Sequence, residues 1–137
     1  MNRLTGKIIS IESNSHVSLV DVAVGQDVFS ATLLETPETA DYLQVGNQVT
    51  LLFKETEIAL AKNLSGLISL RNRINVSVKK IERGDILSAV TLDYDNKKLV
   101  SVITSRAIER LQINVGDQLE ALVKANEIAL MTGHHDL

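Results

Sequence analysis

The chain has 137 residues, 14 basic and 17 acidic side chains, a net charge of −3, no cysteine and only 3% aromatic residues. The cysteine count excludes a disulfide framework and a thiolate metal site. The mixed, slightly acidic charge argues against a general nucleic-acid or acidic-membrane surface, and the few aromatics leave little to stack single strands on.

In chain order, "GKIISIE" and "VSLVDVAV" are rich in β-branched residues and predict two strands. Gly25 turns the chain into a third, "DVFSATLL". "TPETADYL" changes character: Thr36 as cap, Pro37 at the first position and Glu38 beside it predict a short helix. After a turn at Gly46, "QVTLLFK" alternates, with Val49, Leu51 and Phe53 on one face. "EIALAK" is a last strand, and residues 62–66 are the expected join.

The second half repeats this order. "NRLTGKIISIE" from Asn2 returns as "NRINVSVKKIE" from Asn72, and "VGNQVTLLFKETEIAL" from Val45 returns as "VGDQLEALVKANEIAL" from Val115. Both spacings are 70 (72 − 2 and 115 − 45), so the chain is a tandem repeat. Strands are expected at 73–81, 86–93, 98–103, 117–124 and 127–131, with "SRAIERLQ" as a helix capped by Thr104 or Ser105. "DYDNKK" is a polar turn, which accounts for Asp93 and Asp95 better than a calcium loop does. Gly46 and Gly116 are turn glycines requiring positive φ. "GHHDL" is expected to be a tail, and its His134 and His135 to have no metal role. A lone 70-residue repeat would be marginal. "DQLEALVK" is apolar on both faces, with Leu119, Ala121 and Val123 on one and Leu122 on the other. Its second cover is expected from another subunit.

The predicted fold is all-β with short helices: two OB-like five-stranded barrels in tandem, residues 1–64 and 65–137. No catalytic constellation is present, so an enzyme is not expected. No apolar run approaches the ~20 residues of a membrane span, and no basic segment followed by an apolar run opens the chain, so a cytoplasmic protein is expected.

Ser69-Leu70-Arg71-Asn72 resembles the S-A-R-N opening of the molbindin (Mop) domain of the TOBE group. "IERGDILSAV" and "VSVITSRAIERLQINVGDQLEALVKANEIALM" resemble its later motifs in the same order. The resemblance covers the chain as two copies. It implies a protein that binds molybdate or tungstate between Mop units, without organic cofactor, as a homo-oligomer with a trimer favoured. Storage or homeostasis fits a chain without a helix-turn-helix region. The other readings are an anion-sensing or oligomerisation module for a transporter or transcription factor, and a nucleic-acid binder, which the composition disfavours.

The chemistry of such a ligand is clear. A tetrahedral dianion takes donors only: N–H groups, hydroxyls and cations. By resemblance, Ser69 supplies a hydroxyl, Arg71 a cation, and Leu70 and Asn72 the backbone of the turn. Thr104, with Ser105 beside it, supplies hydroxyls, and Lys124 a cation with the Ala125 N–H. Lys54 holds the position of Lys124 in the first repeat. There Met1-Asn2-Arg3 lacks the Ser and Arg, and Leu34-Glu35 replace Thr104-Ser105, so the second repeat is expected to carry the site. The bland alternatives are surface lysines for Lys54 and Lys124, a solvated turn for Ser69 and Arg71, and a helix cap for Thr104.

Overall fold

A computed structural model describes residues 1–132; the predicted tail and its histidines lie outside them. Among the described residues ten strands form two five-stranded sheets. They are β1 (Asn2–Ser13), β2 (Ser18–Val24), β3 (Asp27–Leu33), β4 (Gln48–Phe53), β5 (Ala59–Ala61), β6 (Asn72–Glu82), β7 (Leu87–Tyr94), β8 (Lys97–Thr104), β9 (Gln118–Val123) and β10 (Ala129–Thr132). One helix, α1 (Ser105–Leu111), follows β8, and 3-10 turns occupy Glu55–Glu57 and Ala125–Glu127. The mostly-β, twice-five-stranded expectation is met.

The strand order is β10-β4-β1-β2-β3 in one sheet and β5-β9-β6-β7-β8 in the other. Each sheet thus takes four strands from one repeat and its last strand from the other. The compact units follow this exchange: Arg3–Phe53 with the described residues from Lys124 onward, and Lys54–Val123 together with Asn2. The sequence repeats and the compact units therefore divide the chain at different places. The chain passes from one unit to the other at Lys54 and again at Lys124.

The two units are built alike. In the first, Leu4, Ile8, Val20, Val22, Phe29, Leu51 and Phe53 are almost wholly buried. The strict alternation of β2 and β4 puts every second side chain into that core. β1 carries a bulge between Ile8 and Ser10, and β6 carries one between Val78 and Lys80. A bulge bends and twists its strand, which lets a five-stranded sheet coil until its edges meet; β3 approaches β10 in one unit and β8 approaches β5 in the other. The residue before each bulge grips a tight turn. Ile8 exchanges backbone bonds with Gly46 and Asn47 (2.8 and 2.9 Å), and Val78 does so with Gly116 and Asp117 (2.8 and 2.9 Å). Gly46 and Gly116 have φ of 98° and 94° there, the left-handed region that glycine enters without steric cost. Gly6 meets a different demand: a Cβ would come within 2.5 Å of the Ala23 carbonyl oxygen.

Two expectations fail. The helix predicted after Thr36 does not form; residues 37–39 and 41–42 make only turns. Thr39 Oγ1 accepts from Thr36 N–H (2.9 Å) and donates to Thr36 C=O (3.1 Å), so the side chain competes with helical pairing. At a spacing of 70, Leu34 and Glu38 also stand where α1 has its cap Thr104 and its buried anchor Ile108. The second correction concerns Leu122. It is 3% exposed within the single chain, so burial of that face of β9 needs no other subunit. The ends of the repeats also differ in detail from simple strands, since "ETE" and "ANE" form 3-10 turns before β5 and β10.

Candidate anion site

The register of the second unit sorts the predicted residues into two groups. β6 pairs antiparallel with β9, with Asn72 opposite Val123. The Ser69–Asn72 turn therefore enters at the sheet end where β9 runs out into Lys124. β6 also pairs antiparallel with β7, with Glu82 opposite Ala89, and β7 pairs with β8, with Leu87 opposite Thr104. Thr104 and Ser105 consequently lie at the other end of β6. Ten strand residues separate the two ends, roughly 30 Å along the strand.

At the first end, Ser69 and Arg71 are exposed and Leu70 is half-buried. Arg71 has no ion partner among the described residues. Asn72 is buried, and its amide donates to the Val123 carbonyl (3.0 Å), so its side chain is structural. The corresponding Asn2 is also buried; its amide both donates to Val100 C=O (2.9 Å) and accepts from Val100 N–H (2.8 Å). An asparagine side chain thereby imitates a strand backbone on β8, and the echo of "NR" at Asn2 and Asn72 marks this structural use. Beside β6 and β9, Arg73 holds Glu120 through two bonds of 2.9 and 3.0 Å. The guanidinium keeps the Glu120 carboxyl below its ordinary range and is itself raised by it.

Lys54 and Lys124 are both exposed, and each precedes a 3-10 turn at a crossing between units. Glu57 and Glu127 close these turns through backbone bonds to the lysine carbonyls (2.9 and 3.0 Å). The Glu57 carboxylate also accepts from the Lys54 N–H (2.8 Å), which withdraws that donor from any ligand. The crossings place Lys54 in the second unit and Lys124 with Ala125 in the first. Ala125 is half-buried.

At the second end, Thr104 caps α1 by accepting from Ala107 N–H (3.1 Å). Ser105 is tied down. Its N–H donates to Ile86 C=O (2.8 Å), its hydroxyl donates to Gly84 C=O (2.7 Å), and it accepts from Ser88 (2.7 Å). With its proton engaged, the Ser105 hydroxyl offers a dianion no donor in this conformation. Thr104 instead borders a hollow of about 350 Å³ with Asp85, Ile86 and Arg106. Arg106 is a cation that pattern reading passed over; the signal was its place directly after Thr104-Ser105.

A family model for the TOBE domain matches residues 68–130. The molybdenum import ATP-binding protein ModC of Brucella abortus (strain 2308) is 38% identical over 78 residues, 56% of this chain and 22% of that protein. The molybdenum transport protein ModE of Herbaspirillum seropedicae is 28% identical over 127 residues, 90% of this chain and 47% of that protein. The chain thus spans about a fifth and about half of these two relatives. Among solved structures, the cytoplasmic molybdate-binding protein ModG, with molybdate bound, superposes with a TM-score of 0.89 at 27% identity, covering 96% of this chain and 95% of that one.

Proposed function

We propose that this chain, which belongs to the molbindin (Mop) family of TOBE domains, binds molybdate or tungstate in the cytoplasm and serves its storage or homeostasis. The observation that carries this reading is the likeness to molybdate-bound ModG over nearly the whole of both chains.

The geometry supports a site shared between Mop units. Ser69 and Arg71 are at one end of β6 and Thr104 at the other. A ligand that uses both groups takes them from different copies of the chain, as in a homo-oligomer, for which a trimer is the favoured form. Arg71 and Lys124 are exposed cations without ion partners among the described residues. Charge-assisted donors of this kind suit a fully deprotonated dianion. Sulfate has the same charge and shape, so rejecting it falls to cavity size and rigid walls. Bound dianion neutralises cations that would otherwise resist burial, which ties binding to assembly.

The test is thermal unfolding with molybdate, tungstate, sulfate or no anion at matched ionic strength. A ligand at 100 times its Kd adds about 2.7 kcal/mol per site. A rise with molybdate and tungstate but not sulfate is expected. No rise at millimolar concentration refutes the reading.

A further inference from the structure

On the face of the second sheet that points away from its core, three side chains meet at one level. Glu120 on β9 has Ala61 of β5 opposite it on one side and Asn75 of β6 on the other. Gln118, two residues earlier on β9, shares that face. The chain that follows β5 forms a wall beside them. Lys62 donates to Gln112 C=O (2.6 Å) and pairs with Asp117 (3.1 Å), and Asn63 takes a left-handed φ of 58°. The result is a hollow of about 390 Å³ bordered by Ala61, Asn63, Leu64, Asn75, Gln118 and Glu120. Its volume suits a small molecule.

The fold does not demand this arrangement. At a spacing of 70, Arg73, Asn75 and Glu120 correspond to Arg3, Thr5 and Thr50, and Ala61 corresponds to Met131. The first unit pairs Met131 with Thr50 and builds an equivalent five-stranded sheet, with a large side chain where the second unit has a methyl group. Nor are the amides spent on turns. Asn14, Asn47 and Asn114, also exposed, each bond backbone groups close by. The side chains of Asn63, Asn75 and Gln118 make no hydrogen bond among the described residues.

The lining fixes the chemistry of a ligand. The Glu120 carboxylate repels a dianion, so the hollow is no second molybdate site. Arg73 holds the same carboxylate through two bonds (2.9 and 3.0 Å), which offsets its charge and leaves a cation little to gain. Hydrogen bonding in both senses remains. Each carboxamide donates and accepts, and a carboxylate has about four acceptor positions, of which Arg73 takes two. A hydroxyl also donates and accepts. Neighbouring hydroxyls on a small neutral skeleton therefore match this set, with Ala61 and Leu64 against the carbon atoms. None of the lining side chains is aromatic, so selection rests on hydroxyls rather than on ring stacking. We propose that this hollow binds a neutral polyhydroxylated molecule, a sugar or an open-chain polyol, at a site separate from the anion site and independent of that reading.

Calorimetric titration of the full chain with ribose, glucose and sorbitol, and with methylammonium chloride as the cationic control, tests this. Saturable binding of at least one polyol at millimolar concentration or below, and none of methylammonium, is expected. Binding of ribose or glucose without sorbitol assigns a cyclic sugar, and binding of sorbitol alone assigns an open-chain polyol. Ala61→Met places in the hollow the residue that the first unit carries, so the sheet should keep its circular dichroism spectrum while the space is filled. Ala61→Met and Asn75→Ala should each weaken binding by about 10-fold or more, the worth of a lost hydrogen bond. No saturable heat with any of the polyols, preference for methylammonium, or undiminished binding by Ala61→Met overturns the proposal. Ala61→Met should leave the molybdate-induced rise in midpoint as it is in the parent, and loss of that rise overturns the separateness of the two sites. Polyol binding by a parent chain that molybdate does not stabilise refutes the anion reading and leaves the hollow standing.

Discussion

Ser18 and Ser88 occupy the same place in the two repeats, with Leu33 and Ile103 opposite them in register. Both are buried, 0% and 2% exposed. Ser88 donates to Ser105, which passes its own proton to Gly84 C=O. Ser18 has no such partner, and its hydroxyl is the one buried side-chain polar atom left unsatisfied among the described residues. The cause is the residue two places beyond Leu33: Glu35 stands at the Ser105 position and accepts from the Tyr42 hydroxyl instead. Burial, with this bond to Glu35 added, raises the Tyr42 pKa well above the ordinary phenol value. Leaving a buried hydroxyl unpaired costs about 1–3 kcal/mol, and a satisfied bond contributes about 1 kcal/mol. Ser18→Ala should therefore stabilise the chain by about 1 kcal/mol, and Ser88→Ala should destabilise it by a similar amount. For a chain of this size each step is a midpoint shift of about 3–5 °C. Calorimetry gives the midpoints, and urea titration at unchanged m gives the energies. If Ser18→Ala lowers the midpoint as much as Ser88→Ala does, Ser18 has a partner and the argument fails.

Asn2→Ala breaks both bonds to Val100 and should cost about 2 kcal/mol, whereas Arg3→Ala next to it, exposed, should cost little; urea midpoints of the two variants compare them. Lys124→Ala should weaken molybdate binding about 10- to 100-fold, the worth of one charge-assisted bond, with the circular dichroism spectrum unchanged; undiminished affinity by calorimetric titration removes Lys124 from the site. Backbone donation from Asn114 and the Lys62 ammonium hold Asp117 low, and Arg73 does the same for Glu120. Groups depressed in the folded state stabilise it above their unfolded pKa and lose that effect as pH falls through the folded value. Stability should thus decline below about pH 4.5. Arg73→Gln should flatten part of that decline, since Glu120 then protonates alike in both states; an unchanged slope of urea midpoint against pH rules this out.

Much of the fold was legible because local signals agreed. In β4 the alternation of Val49, Leu51 and Phe53 matched the two-residue period of a strand, and all three are buried. Around α1, Thr104 capped as its residue type predicts, and Ile108 and Ile113 anchored the helix. The Thr36 segment carried equally good cap signals and still made only turns, because a seven-residue helix depends on an apolar anchor more than on its cap. Candidate residues for the site were legible by position. What each one has free to give was not: Ser105 is consumed by Gly84 and Ser88, partners distant in sequence.

By itself the sequence determined a twofold repeat, its strands, its turns and the residue types a dianion would need, since periodicity and turn chemistry act over a few neighbouring residues. Only the tertiary structure decided which strand closes which sheet. "EIALAK" and "EIALMT" begin with the same four residues, so local preference cannot distinguish β5 on β9 from β5 on β4. The path taken by the chain after Phe53 and Val123 settles it, and with it the unit to which Lys54 and Lys124 belong.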